Sequence, residues 1–417
     1  MERFITIFWL LLIPTQLGRH FWLPESSVMG VRIDYLSIIF YATDIAWILW
    51  VCTQRKKIKL KFDFFAMILF LLMLVNVIFA EARWVAVYHW IRIWQWWLTW
   101  QLVAENKAKI IGYMKNVVPW WILTESFLGL AQVVKGGSLN GIWWWLGERR
   151  FTYGGIGIAQ IRLFDEGWIR AYGTFSHPNS LAGFLLLSWW WWRRQTKPPA
   201  LWASPLMKGD FSRVWYWVIN WSAILGIILT GSRVVWAVTV GLLVAEQFKP
   251  TRPSQDIGSK KKYLRRLMGK FFLFSGVICL VLGVVSINYR ISDFVGGWDI
   301  QSWQKREKLA LSAIGMVREA PLFGVGAGNF MVNLPKFQRG GFYWMQPVHN
   351  ILLLIWSEVG VLGLIIFLVL GINRLRTFKW RKQLWFLIIV GVTGMVDHYW
   401  VTLPQNAWLL AIILGVM

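Results

Sequence analysis

An all-α fold is expected for this sequence: a polytopic membrane helical bundle forming a single integral domain over residues 1–417. Three observations carry that expectation. Hydrophobic residues fill 57% of the chain and charged residues only 15%, with a mean hydropathy of +0.49, a balance foreign to soluble globular proteins of this length. The apolar residues gather in runs approaching the roughly 20 residues that a helix needs to cross the hydrocarbon core. Most of the 44 Lys and Arg lie in short blocks between those runs, as the positive-inside rule requires of cytoplasmic loops.

Taken in order, the runs give roughly twelve spans, near 4–17, 33–52, 63–80, 84–103, 117–134, 179–192, 214–230, 234–248, 271–288, 350–372, 384–398 and 405–417. The first follows Arg3, contains Pro14 and lacks a small-residue cleavage signal, so it is expected as an uncleaved helix. With the N-terminus cytoplasmic, the basic blocks Arg55 to Lys61, Lys107 to Lys115, Arg193 to Arg213, Lys249 to Lys270 and Arg374 to Lys382 all fall inside, and so does the C-terminus. The net charge of +24 is therefore topological, and no nucleic-acid partner is expected. Membrane lipids are expected partners; the block Lys260 to Arg266 suits anionic headgroups.

The same assignment leaves two long connections outside, 135–179 and 289–350. Loops of that length are uncommon unless they function, and both mix Arg, Gly and aromatic residues before a His-containing motif. The tryptophans at 143–145 and 189–192 sit at expected helix ends and fit an interfacial belt. Trp298, Trp303 and Trp344 offer flat faces for a sugar ring. Cys52 and Cys279 both fall in or beside apolar runs, which excludes a disulfide framework and a Cys-based metal site.

The centre of interest is the stretch WQKREKLALSAIGMVREAPLFGVGAGNF, Trp303 to Phe330, followed by QPVHNILLLIWSEVG, Gln346 to Gly360. Leu309, Ala310, Ala313, Ile314 and Val317 place a single apolar face on its opening segment, that of a helix lying on the membrane or on the protein. The glycines at 324, 326 and 328 lack both the strand context and the spacing of a nucleotide loop. A turn offering backbone N–H groups to an anion and simple close packing explain them equally well. His349 is placed where an apolar helix begins, and Asn350 is positioned to cap it.

These motifs, with RAYGTFSHPN at Arg170 to Asn179 and GSR at Gly231 to Arg233, resemble the O-antigen ligase and polymerase family in the family's own order. The resemblance implies a glycosyltransferase of the bacterial inner membrane, taking a glycan from an undecaprenyl diphosphate carrier to a glycan, lipid or protein acceptor on the outer face with inversion. Arginine suits a diphosphate leaving group because its charged guanidinium makes paired hydrogen bonds to phosphate oxygens. Histidine suits removal of the acceptor's proton because its pKa lies near working pH. On that basis Arg233, Arg306 and His349 are the expected catalytic residues, and Arg170, Asn350, Gly324 and Gly326 the expected substrate-binding ones. Spacing alone gives ordinary alternatives: headgroup snorkelling for Arg233, a surface ion pair for Arg306, an interfacial cap for His349. His177 is expected mainly to pack, and Glu125 and Glu358 to support.

No Asp-x-Asp, Walker loop or His/Cys/carboxylate cluster with ligand spacing is visible, so no metal and no cofactor are expected. Within the family the ligase reading leads and the polymerase follows. A transporter or flippase of lipid-linked sugars, the rival from another class, would place charges along a pathway between inverted repeats.

Overall fold

A computed structural model of the chain describes residues 1–54, 64–155, 157–163, 166–196, 210–247, 298–338, 345–376 and 380–417. The expected span 271–288, the basic blocks Arg55 to Lys61 and Lys249 to Lys270, Trp344, and the side chains of Trp298 and Trp303 lie outside the described residues.

The architecture is mostly helical, as expected. α1 (Glu2–Leu12) and α2 (Ala42–Thr53) flank a small β region; α3 (Phe64–Phe79), α4 (Arg83–Glu105) and α5 (Lys107–Lys135) follow. A short α6 (Ile142–Trp145) precedes α7 (Pro178–Gln195), α8 (Asp210–Leu229) and α9 (Arg233–Gln247). The last third holds α10 (Trp298–Glu319), α11 (Phe330–Phe337) and α12 (Ile351–Arg376). It ends with α13 (Trp380–Leu387), extended by a π turn to Val392, then α14 (Tyr399–Thr402) and α15 (Pro404–Val416). Among the described residues, α5 and the Ile351–Asn373 stretch of α12 are long and apolar enough to cross a membrane by length and composition.

The structure corrects the sequence reading in four places. The span expected at 33–52 starts as a helix only at Ala42, because Ile38–Tyr41, β-branched and aromatic, pairs as strand β4 with β1 (Gly18–Phe21), Gly18 opposite Tyr41 and Phe21 opposite Ile38. Two further antiparallel hairpins, β2 (Ser27–Val28) with β3 (Val31–Arg32) and β5 (Gln160–Leu163) with β6 (Glu166–Ile169), also went unexpected. The span expected at 384–398 stops short of Asp397 and His398, which occupy a turn before α14. The tryptophans at 189–192 form no interfacial belt: they are buried, as is every residue from Ser180 to Trp192, because α7 is apolar on all sides and packs between α5, α8 and α15. Trp144 and Trp145, by contrast, are exposed.

Two ends of the bundle can be told apart by their contacts. At one, Glu2 lies by Lys109 and Gln54, and the Lys107 ammonium donates to the Met417 carbonyl. At the other, the carbonyl of Pro14 accepts from Thr174 and Gln405. The second end carries the candidate site. There a hydrophobic cluster joins Val28, Ile33 and Leu36 of the β region to Leu309, Ala313 and Met316 of α10, Phe330 and Leu334 of α11, and Val348 and Leu354 around the start of α12.

α12 is broken at Gly360, whose φ of 76° and ψ of 179° are non-helical. The loop 320–329 fills that break by borrowing its backbone groups: Val361 N–H donates to Pro321 O (2.9 Å), Val325 N–H to Ser357 O (2.9 Å) and Gly326 N–H to Glu358 O (3.0 Å). Asn76 laces the same loop to α3, donating to the carbonyls of Phe323 and Glu358 and accepting from Ala327 N–H and Trp90. Glu358 accepts from Phe330 N–H and Tyr35, the supporting role expected of it.

Candidate active site

α5 builds the first wall. Gln132 accepts from Gly173 N–H (2.8 Å) and donates to Gly173 O (2.8 Å), and Glu125 accepts from the Thr174 amide (2.9 Å) and lies 2.8 Å from its hydroxyl oxygen. Gly173 is needed here, since its φ is +58° and a Cβ would strike the Glu125 carboxylate. Fixing residues 172–174 aims Arg170 on one side and, after His177 caps α7 by accepting from Asn179 N–H (3.2 Å), Asn179 on the other.

Arg170 then becomes a hub. Its Nε donates to Thr230 O (2.5 Å), at the turn that carries Gly231 and Arg233, and its Nη2 donates to Asn179 Oδ1 (2.5 Å). Burial is the main cause that lowers its pKa from 12.5 to about 10; the charges of Arg233 and Arg306 act in the same direction, and Tyr172 and Asp397 oppose them. Guanidinium groups from three separate regions of the chain thus share one electrostatic neighbourhood. Arg233 opens α9 and is exposed; Arg306, on α10, is half-buried.

Asn179 passes the contact on. Its Nδ2 donates to Asp397 Oδ2 (2.8 Å), while Asp397 Oδ1 accepts from His398 N–H (2.8 Å) and lies 3.6 Å from His349 Nδ1. Burial on its own raises the Asp397 pKa, but the contact with His349 and the neighbouring imidazoles of His398 and His177 outweigh it and hold the carboxyl well below its ordinary value. His349 Nε2 faces the Gln346 side-chain nitrogen at 2.9 Å, and its ring lies 5.3 Å from that of His398. The His398 hydroxyl partner, Thr402, donates to the His398 carbonyl (3.1 Å) and so accepts from His398 Nδ1 (2.7 Å). Burial keeps His177 and His398 neutral, with pKa values lowered to about 3 and about 4.

Of the residues expected from the sequence, the structure brings Arg170, Arg233, Arg306 and His349 to one end of the bundle. Asn350 stands beside them as a cap, its Oδ1 accepting from Leu353 N–H (3.0 Å) and its Nδ2 reaching Met395 O (3.3 Å). Gly324 and Gly326 are buried and their amides are spent on Ala320 O and Glu358 O, which matches the packing alternative rather than an anion cradle. Sequence reasoning missed Asp397 and His398, hidden inside an apolar run. The available signal was an ionisable pair following Gly391 and Gly394, costly in a membrane unless partnered.

Ligand-type atoms of His349, Asp397 and His398 lie within 4.8 Å of one another, so the expectation that no such cluster exists is revised. The spacing admits a metal ion, but Arg170, Arg233 and Arg306 give the neighbourhood a positive field that favours an anion over a cation. Chemically, the arrangement sets anion-binding guanidiniums beside an imidazole backed by a carboxylate, the components of a displacement with an anionic leaving group.

No curated protein matches the chain. The family model described as O-antigen ligase matches residues 218–368, a stretch that contains Arg233, Arg306 and His349 and stops before Asp397. That family is embedded in the bacterial inner membrane and works on lipid-linked glycans and their acceptors. With the three arginines and His349 gathered at one end of a helical bundle, residues 218–368, less than half of the chain, are similar to the O-antigen ligase family of membrane enzymes.

Proposed function

We propose that the protein is an inverting, metal-independent glycosyltransferase that moves a glycan from an undecaprenyl diphosphate carrier to an acceptor hydroxyl on the outer side of the bacterial cytoplasmic membrane, with roughly twelve spans and both termini inside. The acceptor hydroxyl attacks the anomeric carbon as the bond from that carbon to the diphosphate oxygen breaks. The electron pair leaves with the diphosphate, and the hydroxyl proton goes to His349 Nε2. Arg233 and Arg306, with Arg170 behind them, neutralise the charge that develops on the leaving group. Asp397 favours the His349 tautomer protonated at Nδ1, which leaves Nε2 free to act as base, and Gln346 occupies that nitrogen until the acceptor arrives.

The single observation that supports this reading is the chain of hydrogen bonds from the turn bearing Arg233, through Arg170 and Asn179, to Asp397, whose carboxylate lies 3.6 Å from His349 Nδ1. The ligase form, with a lipid A core as acceptor, takes precedence over the polymerase form on the family's description. Purified protein in detergent, supplied with lipid-linked glycan and acceptor, is the test. Product formed where there are no two sides excludes a mere transporter, and a glycan-lengthened donor in place of a glycan-bearing core assigns the polymerase form. A His349→Ala protein that folds and transfers at the full rate removes the base.

A further inference from the structure

Among the described residues, Asn179 is the side chain that touches both halves of the site. Its amide is fixed in orientation by its partners, because Oδ1 must accept from the Arg170 guanidinium (2.5 Å) and Nδ2 must donate to the Asp397 carboxylate (2.8 Å). Those two partners are themselves held. Arg170 is tied to Thr230 O, and Asp397 pivots on the His398 amide through Oδ1. What is not made is the last link, since 3.6 Å between Asp397 Oδ1 and His349 Nδ1 is beyond a hydrogen bond and leaves the buried Nδ1 without a partner among the described residues. A charge-assisted bond there needs about 2.8 Å, a closure of under about 1 Å. Catalytic hydrogen bonds that are long in the empty enzyme commonly tighten when substrate binds.

We propose that Asn179 is a positioning residue that couples the anion site to the base: a diphosphate drawn to the arginines moves Arg170, Asn179 follows, and Asp397 turns onto His349. The coupling rests on the transferase reading only in taking a diphosphate as the anion. It makes donor binding the event that arms the base, so that His349 is engaged by Asp397 when a leaving group is in place. Among the described residues, the groups facing His349 are Asp397 and His398 from the turn before α14, His177 from the start of α7 and Gln346 from its own loop; Arg170 is hydrogen-bonded toward them through Asn179, and its charge also acts on Asp397 and His177.

The experiment follows the His349 imidazole by NMR in full-length, histidine-labelled protein in detergent, its signal identified by its loss in His349→Ala. Spectra are titrated with pH in the presence and absence of geranylgeranyl diphosphate, whose binding is measured in parallel by calorimetry. The expected result is that bound diphosphate raises the His349 midpoint by at least about 0.5 pH unit more in the wild type than in Asn179→Ala, since a newly engaged carboxylate favours the imidazolium. The shift left in the variant is the direct field of the anion. Asn179→Leu, which keeps the volume but has neither an acceptor for Arg170 nor a donor for Asp397, is expected to behave like Asn179→Ala; should Asn179→Ala fail to fold, this second variant carries the comparison. Equal shifts in wild type and variant with diphosphate bound overturn the coupling and leave the transferase reading in place. Diphosphate that does not bind overturns both.

Discussion

His349 Nδ1 and Asp397 Oδ1 stand 3.6 Å apart, joined from segments that the helix of residues 351–376 and the one after it separate in sequence. A carboxylate in that position does not take the acceptor's proton. It selects the tautomer and stabilises the imidazolium that forms. Asp397→Asn, which keeps the shape and removes the charge, is expected to lower the transfer rate on the order of 10²-fold or more, with His349→Ala as the floor. Initial rates of glycan transfer in detergent check it; an Asp397→Asn enzyme as fast as wild type would show that the carboxylate serves folding alone.

Glycine at 360 and 324 is demanded by the backbone. Both have φ above +70°, and a Cβ at either would strike backbone, at Leu322 for Gly360 and at Glu358 for Gly324. Gly360→Ala is expected to destabilise the fold by more than about 1 kcal/mol, strain and collision combined, and to lower the melting temperature in detergent. Gly371, with nothing within 4 Å of its Cβ position, is the control, and Gly371→Ala is expected to be neutral or stabilising.

The buried Arg92 on α4 is paired with Asp44 on α2, Nη1 to Oδ1 at 2.5 Å and Nη2 to Oδ2 at 2.8 Å, with Gln95 donating to the same carboxylate at 3.0 Å. Removing one partner strands a charge among apolar helices. Asp44→Ala is expected to cost about 3–5 kcal/mol, and joint replacement of Asp44 and Arg92 by apolar residues of similar volume to recover most of it. Unfolding of the single and double variants measures the difference.

How much of this was legible beforehand depends on what each feature needed. The positions of α3 to α5 and of α7 to α9 were readable because apolar runs leave few alternatives, whereas the short α6 was read as part of a loop; Arg170, Arg233, Arg306 and His349 stood out because their motifs are local. Asp397 and His398 were not, since hydropathy averages two polar residues into the run around them and only the three-dimensional turn sets them opposite His349. The β4 pairing was equally hidden: Ile38 to Tyr41 is as apolar as a helix start, and its strand partner, Gly18 to Phe21, lies elsewhere in sequence. Trp189 to Trp192 were misplaced because a helix end at an interface and the middle of a packed bundle call for the same residues.

Acid is expected to withdraw the stability that two buried imidazoles contribute, in a defined window. His177 and His398 have folded pKa values near 3 and 4 because burial disfavours their charged forms, whereas in the unfolded chain they titrate near 6.5. Between those limits these two residues bind more protons in the unfolded state, so their own contribution to stability falls as pH drops below 6.5, on the order of 1 kcal/mol per pH unit for each imidazole. Asp397, held low, adds a loss of the same sign only once pH falls below the ordinary carboxyl value near 3.8. Thermal unfolding of wild type and His398→Gln, followed from about neutral pH down to about pH 4.5, checks it: the wild type is expected to lose stability relative to the variant as pH falls.

The clasp between the 320–329 loop and the gap in α12 behaves as a ruler. The helix bearing Arg306 runs directly into that loop, and the helix that starts beside His349 contains the gap, so backbone hydrogen bonds, which depend little on which side chains are present, help to set their separation. An exchange of either side of the clasp is therefore expected to require the other side with it.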